Sequence, residues 1–346
     1  MKRKTWFAAA LAGLLFLGLA AFLVADAYQR SRNVQTADFA MNTPITMKIT
    51  GRKAQDCAAD VPSDIRTLEL RQLSRYMETA DVCRVNAEAG RAVDVKVGTA
   101  RLAALALEIR EKSGNAFDPT LGLLRDLWDV TAENPRVPSQ AEIDRLFQQE
   151  RLLTVRENTL QVSQEGILDF GAIGKGAACD AAFDRLSAAN AKSAVVSVGG
   201  SVLTFGGAKD FTVGIRDPKG TAADTLGILT VGAAVVSTSG GYEQFFLQAG
   251  LRYHHILDGR SGSPANAGLA CVSVLLPKTA QNDNGALSDI LSTACFVLGY
   301  ADAEALLAEY HADAVFVQED GGIRTVNHSG VPLQFALTSE RYRVLP

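Results

Sequence analysis

The chain has 346 residues, 47% of them hydrophobic and 21% charged, with 34 Lys and Arg against 38 Asp and Glu for a formal net charge of −4. That mix suits a globular protein with a substantial core. It excludes a disordered tail and a nucleic-acid binder, which needs surplus Lys and Arg against phosphate.

At the N-terminus, Lys2, Arg3 and Lys4 precede an uncharged apolar run over 6–25. Such a run is a signal-peptide core or a single membrane-spanning helix. Ala25-Asp26-Ala27 has the small residues of a cleavage site, so 1–27 is expected to be a cleaved signal or a retained inner-membrane anchor. The basic flank places the rest outside the cytoplasm, in the periplasm. Residues 28–38 are polar and read as a tether, and 39–346 as one domain with no internal repeat.

The spacing predicts a helix over 99–112. A second starts after Ser139, which has capping-box spacing to Glu142 and an apolar stripe of Ile143, Leu146 and Phe147. A third follows Gly174 with Ala178, Ala182, Phe183 and Leu186 inward, and a fourth covers 286–298. Strands are expected at 194–198, 211–215, 226–231, 234–237, 253–257, 271–276 and 314–317, all rich in β-branched residues. The fold class is therefore mixed α/β (α+β), sheets flanked by helices. No GxGxxG opens a βαβ unit and there is no Walker loop, so a Rossmann fold is not expected. The five cysteines, Cys57, Cys83, Cys179, Cys271 and Cys295, are odd in number and irregular in spacing, which indicates neither a disulfide framework nor a zinc site. Cys57 and Cys83 could pair, with buried free thiols as the alternative.

Four segments carry chemistry. On the 286–298 helix, Asp289, Ser292 and Thr293 stand at i, i+3 and i+4 and share one face, a hard oxygen surface suited to Mg²⁺ or an ordinary solvated face. Between Asp169 and Gly176, glycines let backbone approach a ligand, and Lys175 sits at a helix start, where phosphate is attracted; a plain Gly-rich turn is the other reading. Asp118, before Pro119, cannot easily be helical; its carboxylate is free to bind a ligand or to cap the helix starting near Thr120. His254 and His255 are adjacent in a predicted strand and point to opposite faces, so one alone can serve a given site. A structural pairing of His255 with Asp258 is the competing reading.

These segments belong to an ordered set: Met41-Asn42-Thr43-Pro44, Ser74-Arg75-Tyr76, Ala116-Phe117-Asp118-Pro119-Thr120, Asp169-Phe170-Gly171-Ala172-Ile173-Gly174-Lys175-Gly176, Ser237-Thr238-Ser239-Gly240, His254-His255-Ile256-Leu257-Asp258 and Ser288-Asp289-Ile290-Leu291-Ser292-Thr293. In that order, over about residues 39–300, the set resembles the ApbE family of FAD:protein FMN transferases. The resemblance implies an enzyme that cuts FAD at its pyrophosphate, fixes FMN on a Thr (or Ser) of an exported flavin-accepting subunit of a redox complex, and releases AMP. It implies FAD contacts at Met41, Tyr76, Ala116, Phe117, Asp118, Asp169, Lys175 and Ile256. Mg²⁺ ligands are implied at Ala172 (through its carbonyl), Asp289, Ser292 and Thr293, and His255 is implied as general base. The same residues would serve an Mg²⁺-dependent FAD pyrophosphatase, with water in place of threonine; a non-catalytic flavin-binding protein is the alternative from another class. The chain departs from the family pattern at Gly259, where Pro is common, at Ser261, where Thr is common, and in the glycine loop at Ala172 and Gly174.

Overall fold

The computed structural model describes residues 32–207, 209–221 and 223–346. The signal or anchor expected over 1–27 lies outside them. Among the described residues no helix is long and apolar enough to cross a membrane.

The frame is a nine-stranded sheet whose spatial order is the chain order. Its strands are β1 (Asn33–Ala40), β2 (Thr43–Thr50), β3 (Ser193–Val198), β4 (Ser201–Gly206), β5 (Ala234–Gly240), β6 (Leu269–Pro277), β7 (Asp313–Gln318), β8 (Gly322–Val326) and β9 (Arg343–Val344). Every neighbouring pair is antiparallel except β8 with β9. A parallel, doubly wound dinucleotide sheet is thereby absent, as expected. The helices are α1 (Ala54–Leu68), which widens into a π turn over Glu69–Leu73, α2 (Asp81–Ala87), α3 (Val97–Lys112), α4 (Gly122–Trp128), α5 (Gln140–Phe147), α6 (Gly174–Ala188), α7 (Asn284–Leu298) and α8 (Tyr300–Glu309).

Side-chain alternation sorts the sheet into two faces. On β6, Val272, Val274 and Leu276 join the core with α7 residues Ile290, Leu291 and Ala294. Cys271 and Leu275 point the other way, into a core shared with the small sheet of Phe211–Arg216, Thr225–Val231 and Gln334–Leu337. Covered on both faces, β6 reads as one apolar run. Ile45, Met47 and Ile49 of β2 and Ala194, Val196 and Val198 of β3 meet Val61 and Ile65 of α1 and Ala178, Ala182 and Leu186 of α6.

α6 and α7 cross with almost no space between their backbones. A Cβ on Gly176 would lie 2.0 Å from the Gly285 carbonyl oxygen, and one on Gly285 would lie 2.3 Å from the Gly176 oxygen. Real side chains cannot occupy such positions, so the sequence must have glycine at both. Asp180, one turn further along α6, accepts from the N–H groups of Gly285 and Ala286, both at 2.9 Å, and so caps the start of α7. The fully buried Lys278 ammonium pairs with the same carboxylate at 2.6 Å.

The predicted helices all form, and Ser139 caps α5 through the expected capping box with Glu142. Two expectations are corrected. The polar stretch read as a tether is, from Asn33, strand β1: it lies at the sheet edge and only Ala40 is buried, so its pattern carries little apolar signal. The strand expected over 253–257 ends at His254, because the chain turns away beyond it. All five cysteines are free thiols.

Gly176→Ala and Gly285→Ala should each lower the unfolding free energy by about 1–3 kcal/mol through overpacking. The control Gly232→Ala, with nothing within 4 Å of its would-be Cβ, should stay within about 0.5 kcal/mol of the parent. Urea midpoints of the three variants test this.

Candidate active site

α6 begins without a side-chain cap, its N-cap position being Ile173. Its first N–H groups therefore need other acceptors. The crossing with α7 supplies one: Gly176 N–H donates to Oδ2 of Asp289 at 2.9 Å. That N–H would otherwise close on the carbonyl four residues back, that of Ala172. Lys175 Nζ lies 3.8 Å from Asp289 Oδ1, and its stem runs 3.2 Å from where a Cβ on Gly199 would stand. Burial pushes the Asp289 carboxyl up, against the pull of Lys175 and the helix N–H groups.

Ser292 and Thr293 follow on the same face of α7, as the spacing requires. Position 239 of β5 points to the helix side of the sheet, and Ser239 Oγ meets Ser292 Oγ at 2.7 Å and Thr293 Oγ1 at 3.0 Å. Ser292 is fully buried and donates to the Asp289 carbonyl at 2.8 Å, so it secures the seam between helix and strand. Thr293 stays partly exposed. Among the described residues no three His, Cys, Asp or Glu cluster to hold a metal. The available donors are one carboxylate, hydroxyls and a carbonyl, a hard set that fits Mg²⁺ completed by water and phosphate oxygens.

The other expected contacts divide. Met41 and Asn42 form the β1–β2 turn with φ of 52° and 55°, the two left-handed positions of a type I′ hairpin. Asparagine suits that conformation and methionine does not. Met41 is held there by its N–H, which donates to Glu69 at 2.9 Å, and its Cε stands 3.3 Å from a would-be Cβ on Gly174. Tyr76 is 72% exposed, with the Arg75 guanidinium over its ring. Ala116, Phe117 and Ile256 face the main core. Asp118 also turns inward. Its Oδ1 accepts from Thr120 N at 2.9 Å and Thr120 Oγ1 at 2.6 Å, while Oδ2 faces Arg110 at 3.4 Å and Arg151 at 3.6 Å. Through Oδ1 this carboxylate organises its loop, while Oδ2 is buried beside the two guanidinium groups without a hydrogen-bond partner. Gly259 N–H donates to the Ala116 carbonyl at 3.1 Å, and a Cβ at 259 would stand 2.2 Å from the Asn115 oxygen. The close approach accounts for glycine at 259.

Asp169 is likewise engaged by protein. Gly171 N–H donates to its Oδ1 at 2.7 Å, and Oδ2 receives Arg125 Nη1 at 2.7 Å and Arg75 Nη1 at 3.1 Å. Arg75 also bonds Asp126 and is 8% exposed, whereas Arg125 is 42% exposed.

His255, just past its strand, donates its backbone N–H to the Gln244 carbonyl at 3.1 Å, and its ring Nδ1 lies 3.2 Å from the same oxygen. A carbonyl only accepts, so Nδ1 carries the proton and Nε2 is left with its lone pair. Asp258 is not its partner: that carboxylate pairs with Arg260 at 2.8 Å. His254 is buried, with Nε2 at 3.0 Å from the Ala265 carbonyl. Desolvation, with the positive fields of Lys175 and Arg125, pushes His255 down to about 4. Tyr76, Arg125, Trp128, Gln244, His255 and Leu257 line one cleft of about 80 Å³. A larger cavity, about 830 Å³, lies along β1–β3 and Phe211, away from this chemistry.

Sequence reasoning left Ser239, Arg125, Arg75 and Gln244 without roles. Ser239 had a signal in the Thr-Ser-Gly run and Arg75 one in Ser74-Arg75-Tyr76; Arg125 and Gln244 had none, because their roles arise from contacts between distant segments.

Residues 41–316 match the model of the ApbE family. A Treponema pallidum protein named FAD:protein FMN transferase is 32% identical over 321 residues, covering 85% of this chain and 87% of that protein. The solved ApbE protein of Thermotoga maritima superposes with a TM-score of 0.75 at 30% identity, over 84% of this chain and 96% of that one. The apo flavinyl transferase ApbE of Pseudomonas stutzeri gives 0.71 at 29% identity, over 86% and 94%.

His255 binds fewer protons folded than unfolded between its ordinary value of 6.5 and about 4. Its contribution to stability is complete above pH 6.5 and is lost as pH falls toward 4, by up to about 3 kcal/mol. The stability gap between the wild type and His255→Gln should therefore shift in favour of the variant over that window, read by urea titrations at pH 7 and pH 4.5.

Proposed function

Since the chain belongs to the ApbE family, we propose that it is a FAD:protein FMN transferase, cutting FAD at the pyrophosphate and joining FMN to a threonine or serine hydroxyl of an acceptor protein with release of AMP. The observation that carries this reading is the Asp289 carboxylate seated on the first turn of α6 beside Lys175, with hydroxyls ranged along the same face of α7. A helix N-terminus with a lysine binds phosphate. A carboxylate there would repel phosphate unless a cation stood between them.

Asp289 and Thr293, with Ser292 and the Ala172 carbonyl, would hold Mg²⁺, which when bound neutralises charge on the pyrophosphate and makes AMP a better leaving group. The N–H groups of α6 and Lys175 bind and orient the phosphates. His255 Nε2 takes the proton of the acceptor hydroxyl as its oxygen attacks the flavin-side phosphorus. The new O–P bond forms as the bridging P–O bond breaks, and AMP leaves with that electron pair. With a value near 4, His255 is a weak base in the free protein. The negative pyrophosphate offsets the cationic field of Lys175 and Arg125 and raises it toward working pH.

The acceptor is an exported flavin-carrying subunit of a redox complex, and the reaction takes place in the periplasm beside the inner membrane. This part of the proposal is motivated by the basic-flanked apolar run over 6–25.

Asp289→Ala should reduce AMP release from FAD by about 100-fold or more and abolish in-gel flavin fluorescence of co-expressed exported flavoproteins, with the melting temperature preserved. Undiminished labelling by this variant would overturn the assignment. Wild-type FMN and AMP production with no labelled protein would point to a pyrophosphatase.

A further inference from the structure

Arg125 lines the cleft, and the chemistry above gives it no contact with the substrate. Arg75 and Arg125 both reach Oδ2 of Asp169, but they are not equivalent. Arg75 is 8% exposed and is also bound to Asp126 and, at 3.3 Å, to the Gly122 carbonyl. Arg125 is 42% exposed and has Nη1 on Asp169 at 2.7 Å. A guanidinium has five N–H donors in a fixed plane. One is anchored on a carboxylate already shared with a second guanidinium, and the side chain lines the cleft with His255, Gln244, Tyr76 and Trp128. The acids nearby are Asp126 and Asp129, which also line the cleft; Asp126 is half exposed and meets Arg75.

Accepting the transferase reading, the group that faces His255 must be the flavin-side phosphoryl, because His255 serves the hydroxyl that attacks it. We propose that Arg125 binds the phosphoryl oxygens of the FMN half, from the Asp169 side of the cleft, and that Asp169 is the positioning residue that fixes the guanidinium. Lys175 and the α6 N-terminus then need not hold both phosphates alone. A fixed guanidinium fork matches phosphate oxygens better than a flexible ammonium does, and it gains strength where water is partly excluded. The same arrangement explains why Asp169, expected to touch the ligand, is instead surrounded by protein donors: it acts through Arg125.

The test compares two flavins that differ only in the phosphate. Dissociation constants for FMN and riboflavin are measured by flavin fluorescence on the full chain, for the wild type, Arg125→Gln, Arg125→Lys and Asp169→Asn, with melting temperatures alongside. Arg125→Gln should weaken FMN by about 10-fold to 100-fold and leave riboflavin within about twofold. Arg125→Lys should recover part of the loss, and Asp169→Asn should show a smaller loss confined to FMN. Unchanged FMN affinity in Arg125→Gln, or equal weakening of both flavins, would overturn the inference. A wild-type protein that binds neither flavin and releases no AMP from FAD would instead sink the transferase reading itself.

Discussion

Everything in the site depends on two backbones touching. α6 and α7 can cross at Gly176 and Gly285 because neither position has a Cβ, and the contact leaves no room for one. That approach puts Asp289, one turn along α7, against the uncapped first turn of α6, where a peptide N–H and the Lys175 ammonium await a negative charge. The buried Lys278–Asp180 pair and the capping of Gly285 and Ala286 lock the start of α7 in register with α6. Both ions of that pair are removed from water, so losing either would leave an uncompensated charge; the pair fixes geometry more than it adds stability.

Around this contact the protein assembles opposite charges with separate tasks. Burial pushes the Asp289 carboxyl up, while Lys175 and the first N–H groups of α6 pull it back down. His255 is pushed down to about 4 by desolvation and by the fields of Lys175 and Arg125. On the proposed reading, a dinucleotide diphosphate carrying a divalent cation would offset both shifts. Preorganisation of this kind places the cost of charge reorganisation in folding rather than in the reaction.

Much of the frame was legible in the sequence because it rests on local periodicity. The helix at 174–188 and the doubly covered β6 announce themselves through apolar spacing, and Ser139 with Glu142 marks a helix start by chemistry alone. Edge strand β1 did not, since an exposed strand needs no apolar alternation. Asp289, Ser292 and Thr293 could be placed on one face by counting. What could not be counted was which protein groups the acids meet. Asp118 bonds Thr120 and Asp169 bonds arginines from two other segments, and only tertiary contact shows it. The pairing of His255 with Asp258 failed for the same reason: Arg260, two residues on, takes the carboxylate first.

The most direct measurement is anomalous diffraction from crystals grown with Mn²⁺ and FAD, manganese standing in for magnesium at an all-oxygen site. The account predicts a single strong peak in contact with the Asp289 carboxylate and the Thr293 hydroxyl, with the diphosphate lying between it and His255. A peak at any other place, or a diphosphate bound with Asp289 still closed on the α6 backbone and no metal between them, would contradict it.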